Sequence, residues 1–166
     1  MSDAGAYDLA QELLTICVTN GLAVATAESC TGGLVAGAIT DIPGSSQIFD
    51  RGFVTYSNAA KQEMLGVTAA TLEAHGAVSR EAALEMAAGA LARAKADLAV
   101  AVTGVAGPDG GTKEKPVGLV HFACAARGGA VRHVQRRFGA LSRGEIRAKS
   151  VGQALEMLLE AARLFP

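Results

Sequence analysis

The chain has 166 residues, is half hydrophobic but only 4% aromatic, and carries a formal net charge of −1. That length suits one domain, residues 1–166, which can bury a core of Ala, Val, Leu and Ile without a disulfide or metal staple. The near-neutral balance argues against a dedicated nucleic-acid binder, and no apolar run approaches the roughly 18 residues of a membrane span.

In chain order, Leu9, Leu13, Ile16 and Cys17 fall on one face of a helix over residues 8–20, with Asn20-Gly21 as its stop. Residues 22–27 have the length and apolarity of a strand. Residues 33–40 read as a helix, and Pro43-Gly44 ends the segment after it. Residues 51–56 read as a second strand, followed by a helix over Asn58–Leu65 with Gly66 beyond it and a short helical turn around Leu72 before Gly76. Ser79 is placed to cap an Ala-rich helix running to Ala94. Residues 98–102 form a continuous apolar run, the pattern of a strand covered on both faces. Residues 117–126 and 131–138 flank Gly128-Gly129, a hairpin signal. A closing helix over residues 143–165 sets Ile146, Ser150, Ala154, Leu155, Leu158 and Leu159 near one face. The pattern predicts an α/β fold, a three-layer α/β/α sandwich with a mixed, mostly parallel sheet. The hairpin obliges at least one strand to run antiparallel. Arg127, Arg132, Arg136 and Arg137 then read as a solvated strand pair.

Cys17, Cys30 and Cys124 are odd in number and form no Cys-x-x-Cys pair, so they read as thiols in a reducing compartment. With Asp3 and Asp8 near the start and no basic-then-apolar signal pattern, a cytoplasmic location is expected.

In open parallel sheets, ligands bind beyond the carboxyl ends of the strands. The loops there, residues 28–33, 56–61 and 103–111, are the most polar and Gly-rich parts of an aliphatic chain. In the first, Ser29 stands between a strand and Gly32-Gly33, which open a helix and let a ligand approach the backbone. Unpaired N–H groups at a helix start can hold a phosphate or an oxyanion. The ordinary alternative is a tight turn with Ser29 as an N-cap. A serine nucleophile needs a base, yet His75, His121 and His133 lie off these loops and fit no zinc spacing. Lys61 can serve if burial lowers its pKa; otherwise it is a solvated first-turn residue. Cys30 is a rival nucleophile if a cation such as Lys61 lowers its thiol pKa. Tyr56 can relay a proton or simply cap a strand, and Thr103 can donate a hydrogen bond or simply end one.

Six ordered blocks carry a resemblance. Three are Ala27-Glu28-Ser29-Cys30-Thr31-Gly32-Gly33, Asp41-Ile42-Pro43-Gly44-Ser45-Ser46, and Gly52-Phe53-Val54-Thr55-Tyr56-Ser57-Asn58 with Lys61. The other three are His75-Gly76-Ala77-Val78-Ser79, Thr103-Gly104-Val105-Ala106-Gly107-Pro108 and Glu114-Lys115-Pro116-Val117-Gly118. Together they closely resemble the CinA C-terminal domain family, over residues 9–159. The match is to the stand-alone, nicotinamide-nucleotide amidase form; longer relatives add an N-terminal molybdopterin-binding-like domain, for which no room is expected here.

The resemblance implies hydrolysis of nicotinamide mononucleotide to nicotinic acid mononucleotide and ammonia, with no cofactor and no metal. It also implies a mixed-sheet α/β/α fold and a homodimer. By motif position it makes Ser29 the nucleophile, Lys61 the general base, and Tyr56 and Thr103 accompanying site residues. The family's late Gly-Asp-Arg and Ile-Arg are matched in part by Ser142-Arg143 and Ile146-Arg147. Arg143 therefore takes the arginine role, toward substrate phosphate or proton transfer, with the aspartate missing. Cys30, Thr31, Gly32, Gly33, Gly104 and Gly107 are the expected substrate-binding positions, the N–H groups of residues 30–33 facing the oxyanion. The expected partner is a small-molecule nucleotide, with neither nucleic acid nor membrane. The alternative is a catalytically silent nucleotide-sensing or partner-binding domain of the same fold.

Overall fold

Bulky and small residues alternate along the central strands, and this alternation sets the architecture. The computed structural model describes residues 3–166. Its elements are α1 (Asp3–Asn20), β1 (Val24–Glu28), α2 (Leu34–Thr40), a 3-10 turn (Ser45–Gln47), β2 (Phe49–Val54) and α3 (Asn58–Leu65). Then come α4 (Ala69–His75), α5 (Arg80–Arg93), β3 (Leu98–Gly104), β4 (Leu119–Ala126), β5 (Arg132–Arg137) and α6 (Arg143–Arg163). The sheet order is β2-β1-β3-β4-β5. β1 runs parallel to β2 and β3, and β4 runs antiparallel to β3 and β5, so the expected mixed sheet forms.

Successive residues of a strand face opposite sides of the sheet. On one side, Val24, Leu98, Val100, Val102, Val120 and Phe122 pack with α1, α2 and α6. On the other, Ala25, Ala27, Ala99, Ala101, Ala123 and Ala125 meet Ala83, Met86, Ala87 and Ala90 of α5. Methyl-sized contacts bring α5 close to the sheet, and α3 lies close to α5 in turn: a Cβ added at Gly89 would stand 1.9 Å from the Leu65 carbonyl oxygen. A core poor in aromatics thus becomes a thin layer on the face that carries α3.

Several boundaries differ from the sequence expectation. α1 begins at Asp3 rather than residue 8. β1 starts at Val24 rather than residue 22, because the chain is still turning: Leu22 N–H donates to Cys17 O. β2 covers Phe49–Val54 rather than 51–56. Thr55 N–H still reaches Glu28 O, but Ser57 caps α3 immediately afterwards, accepting from Ala60 N–H, and ends the strand. α3 itself spans the expected residues, stopped by Gly66 in the left-handed region at φ 71°. Ser79 caps α5 as anticipated, accepting from Ala82 N–H.

The hairpin arginines are exposed, and they also tie down the sheet edge: Arg132 pairs with Glu160 of α6 at 2.6 Å, and Arg136 donates to Gln153. Among the described residues, no helix is long and apolar enough to cross a membrane.

Candidate active site

The strand ladders bring the three polar loops to one rim. Glu28, the last residue of β1, pairs with Val54 on one side and Val102 on the other. Ser29 comes directly after it, its N–H donating to Val102 O at 3.0 Å and its carbonyl accepting from Gly32 N–H at 3.0 Å. α2 opens at Gly33, in the left-handed region at φ 102° and without a side-chain cap. Glu28 does the capping instead. Its carboxylate, fully buried, accepts from Val35 N–H at 2.8 Å and Ala36 N–H at 3.0 Å.

Ser29 is therefore not an N-cap, and the start of α2 is already occupied by a carboxylate rather than open to an anion. Gly32 N–H is committed to Ser29. The N–H groups of Cys30, Thr31 and Gly33 have no oxygen partner among the described residues. Backbone donors left open in this way beside a hydroxyl are of the kind that can meet an oxyanion.

Lys61 lies in the first turn of α3 but is only 1% exposed, which overturns the ordinary expectation of a solvated lysine. Its Nζ stands 2.9 Å from Ser29 Oγ and donates to Thr55 O at 2.8 Å. Burial pushes its pKa below the usual lysine value. A neutral amine has two N–H groups and one lone pair. With one N–H held by Thr55, the lone pair is free to accept from the Ser29 hydroxyl. Cys30, the rival, is 5% exposed, and burial pushes its thiol up to about 11 against the opposing pull of its own backbone N–H and of the Arg147 charge. A thiol held neutral is a weak nucleophile.

Tyr56 is exposed, and its phenol oxygen accepts from Arg143 Nη2 at 2.9 Å. Arg143 Nη1 donates to Gly107 O at 2.8 Å. One guanidinium thus links the second and third loops across the rim. Thr103 is 1% exposed and donates to Ala77 O at 2.8 Å, fixing the segment before α5 against the end of β3.

Two of the expected substrate-binding glycines have a packing role. A Cβ at Gly104 would stand 2.8 Å from Leu119 O, and one at Gly107 would stand 2.6 Å from Val117 Cγ1. Close packing against residues 117–120 requires glycine at both positions. Gly107 contributes its carbonyl to Arg143.

The sequence reading missed Glu28 as a cap and Arg147 as a contact of the Ser29 turn. Arg147 Nε donates to Cys30 O at 3.1 Å and Nη2 to Thr31 O at 3.2 Å. A signal existed for Glu28: no Ser, Thr, Asp or Asn stands where α2 needs its cap. Arg147 lies over a hundred residues away in the chain and leaves no local signal. His121 and His133 stack on each other, Nδ1 to Nε2 at 3.0 Å, with His121 opposite Thr103 in the β3–β4 ladder; burial and His133 push His121 down to about 4. Among the described residues, no three His, Cys, Asp or Glu side chains converge as metal ligands.

A serine hydroxyl and a buried lysine amine are thus paired at the carboxyl rim of a mixed α/β/α sheet. The sequence profile of the CinA C-terminal domain matches residues 6–162. The chain belongs to that family. The nicotinamide-nucleotide amidohydrolase PncC of Enterobacter agglomerans is 50% identical over 165 residues, covering 99% of this chain and 98% of that protein. The protein of the same name from Escherichia coli K12 is 50% identical over 159 residues, 95% of each chain. Among solved structures, the competence/damage inducible protein CihA from Agrobacterium tumefaciens aligns with a TM-score of 0.93 at 58% identity, covering 94% of each chain. The family and the fold expected from the sequence are both borne out.

Proposed function

We propose that this protein is an amidohydrolase that converts nicotinamide mononucleotide and water to nicotinic acid mononucleotide and ammonia, with Ser29 as nucleophile and Lys61 as base. The names of its full-length relatives support the substrate. The observation that carries the mechanism is Lys61 Nζ at 2.9 Å from Ser29 Oγ on a lysine that is 1% exposed.

Neutral Lys61 takes the hydroxyl proton as Ser29 Oγ attacks the carboxamide carbon. The carbonyl oxygen becomes an oxyanion, met by the N–H groups of Cys30, Thr31 and Gly33. The Lys61 ammonium returns its proton to the departing nitrogen, which leaves as ammonia. Water, deprotonated by the same amine, then attacks the acyl carbon, and Ser29 Oγ departs with the proton back on it. Arg143 and the loop over residues 104–111 face the nucleotide phosphate, with Tyr56 held by Arg143 at the mouth. The same reading places the enzyme in the cytoplasm, where its three thiols stay reduced, and pairs two copies as a homodimer.

Ammonia release from nicotinamide mononucleotide tests it. Wild type is expected to release ammonia, and Ser29→Ala and Lys61→Met to lose about 100-fold or more. A Ser29→Ala variant as fast as wild type would sink the mechanism. Nucleotide binding without any ammonia from wild type would favour the silent domain.

A further inference from the structure

Resting on the serine chemistry proposed above, we infer that Arg147 is a positioning residue that sets the direction of two of the backbone N–H groups offered to the oxyanion, those of Cys30 and Thr31. In a trans peptide unit, the carbonyl of one residue and the N–H of the next point opposite ways. Whatever grips the oxygen therefore aims the N–H. Arg147 Nε holds Cys30 O at 3.1 Å, so it aims Thr31 N–H directly. Arg147 Nη2 holds Thr31 O at 3.2 Å, and so aims Gly32 N–H. Gly32 N–H in turn donates to Ser29 O at 3.0 Å, and this bond aims Cys30 N–H. Both guanidinium bonds end, by one step or two, at an N–H beside Ser29 that no oxygen of the described residues engages.

The packing fits this use. A Cβ at Gly32 would stand 3.3 Å from Arg147 Nη2, so the guanidinium lies against a residue of the turn that has no side chain to hold it off. Gly32 also has φ 59°, a left-handed conformation that lets the turn double back to Ser29. Arg147 reaches the turn from α6, past a hollow of about 400 Å³ between α1, α2 and α6 that Tyr7, Leu34, Ala148 and Val151 help to line. Only a planar fork can serve both carbonyls; a lysine ammonium at the end of a flexible stem is a single point donor.

Two measurements test this. Losing one oxyanion donor lowers kcat by about 100- to 1000-fold. Arg147→Met leaves the donors present but unaimed, so its kcat on nicotinamide mononucleotide is expected to fall about 10- to 100-fold, with KM within about threefold and Arg147→Lys between Met and wild type. Independently of turnover, amide hydrogen exchange of Gly32 and Ser29, the hydrogen-bonded amides of the turn, is expected to quicken in Arg147→Met while β3 and β4 exchange at the wild-type rate. A kcat within twofold of wild type, a loss confined to KM, or unchanged exchange in the turn each overturns the inference. If wild type itself releases no ammonia, the amidase reading fails, and the exchange measurement alone decides whether Arg147 aims the turn.

Discussion

Glu28→Gln isolates the feature that holds the nucleophile turn to the sheet. The wild-type carboxylate accepts two N–H bonds at 2.8 and 3.0 Å and is fully buried. Glutamine keeps the shape but has one oxygen and one NH2 group, so either Val35 or Ala36 N–H loses its acceptor and faces another donor. The lost charge-assisted bond is worth about 1.5–3 kcal/mol and the stranded buried donor about 1–3 kcal/mol. Removing a buried charge returns part of this, because a neutral amide is cheaper to desolvate. The net expectation is a loss of about 2–4 kcal/mol. For a chain of this size that is roughly 4–16 °C in Tm. Urea denaturation at pH 7, followed by near-ultraviolet and far-ultraviolet circular dichroism, reads the change, with an unaltered m-value showing that only stability moved. A Glu28→Gln protein within about 0.5 kcal/mol of wild type, roughly the error of such a measurement, would refute the claim that this carboxylate caps α2.

Burial holds the Lys61 pKa below 10.5, so kcat/KM should rise with pH as the amine loses its proton and level off above the depressed value; a profile falling across that range contradicts a neutral base. The same shift has a sign in stability. Between the folded pKa and 10.5 the unfolded chain binds the extra proton, so stability gains with pH across that window, and Lys61→Met should flatten the slope in pH-dependent urea titrations. Gly89→Ala drives a methyl onto Leu65 O, 1.9 Å away, and should cost about 1–3 kcal/mol while shifting α3 and lowering kcat, read by thermal melts and turnover together. Cys30→Ala should keep most of the activity, and iodoacetamide should label Cys30 slowly, since its thiol stays neutral to about pH 11; rapid alkylation with loss of activity would return Cys30 to contention.

Local signals made much of the fold legible. Ser57 and Gly66 bracket α3 with a cap and a left-handed stop, so its bounds could be read directly. The apolar run that became β3 is buried on both faces, as its continuity implied. The features that stayed hidden depend on long-range pairing. Tyr56 reads as strand by composition, yet the chain leaves the ladder after Val54 because Ser57 starts a helix three residues on. Ser29 and Lys61 could be placed on neighbouring loops, but their 2.9 Å approach and the burial of the amine come from the thin alanine layer under α3, which no local window shows. Glycines in a polar loop suggest room for a ligand, whereas Gly104 and Gly107 make room for residues 117–120.

The Ser29 and Lys61 side chains hang from a single hydrogen-bonded ladder. Ser29 is one rung past Glu28, and Thr55, whose carbonyl steadies the Lys61 amine, donates its own N–H to Glu28. A slip of one residue between neighbouring strands moves the partners by about 3.3 Å, more than a whole hydrogen-bond length. Graded misalignment is therefore unavailable to this centre, and heat or chaotrope should silence it in the same cooperative step that melts the sheet, with no earlier phase in which an intact fold stands idle.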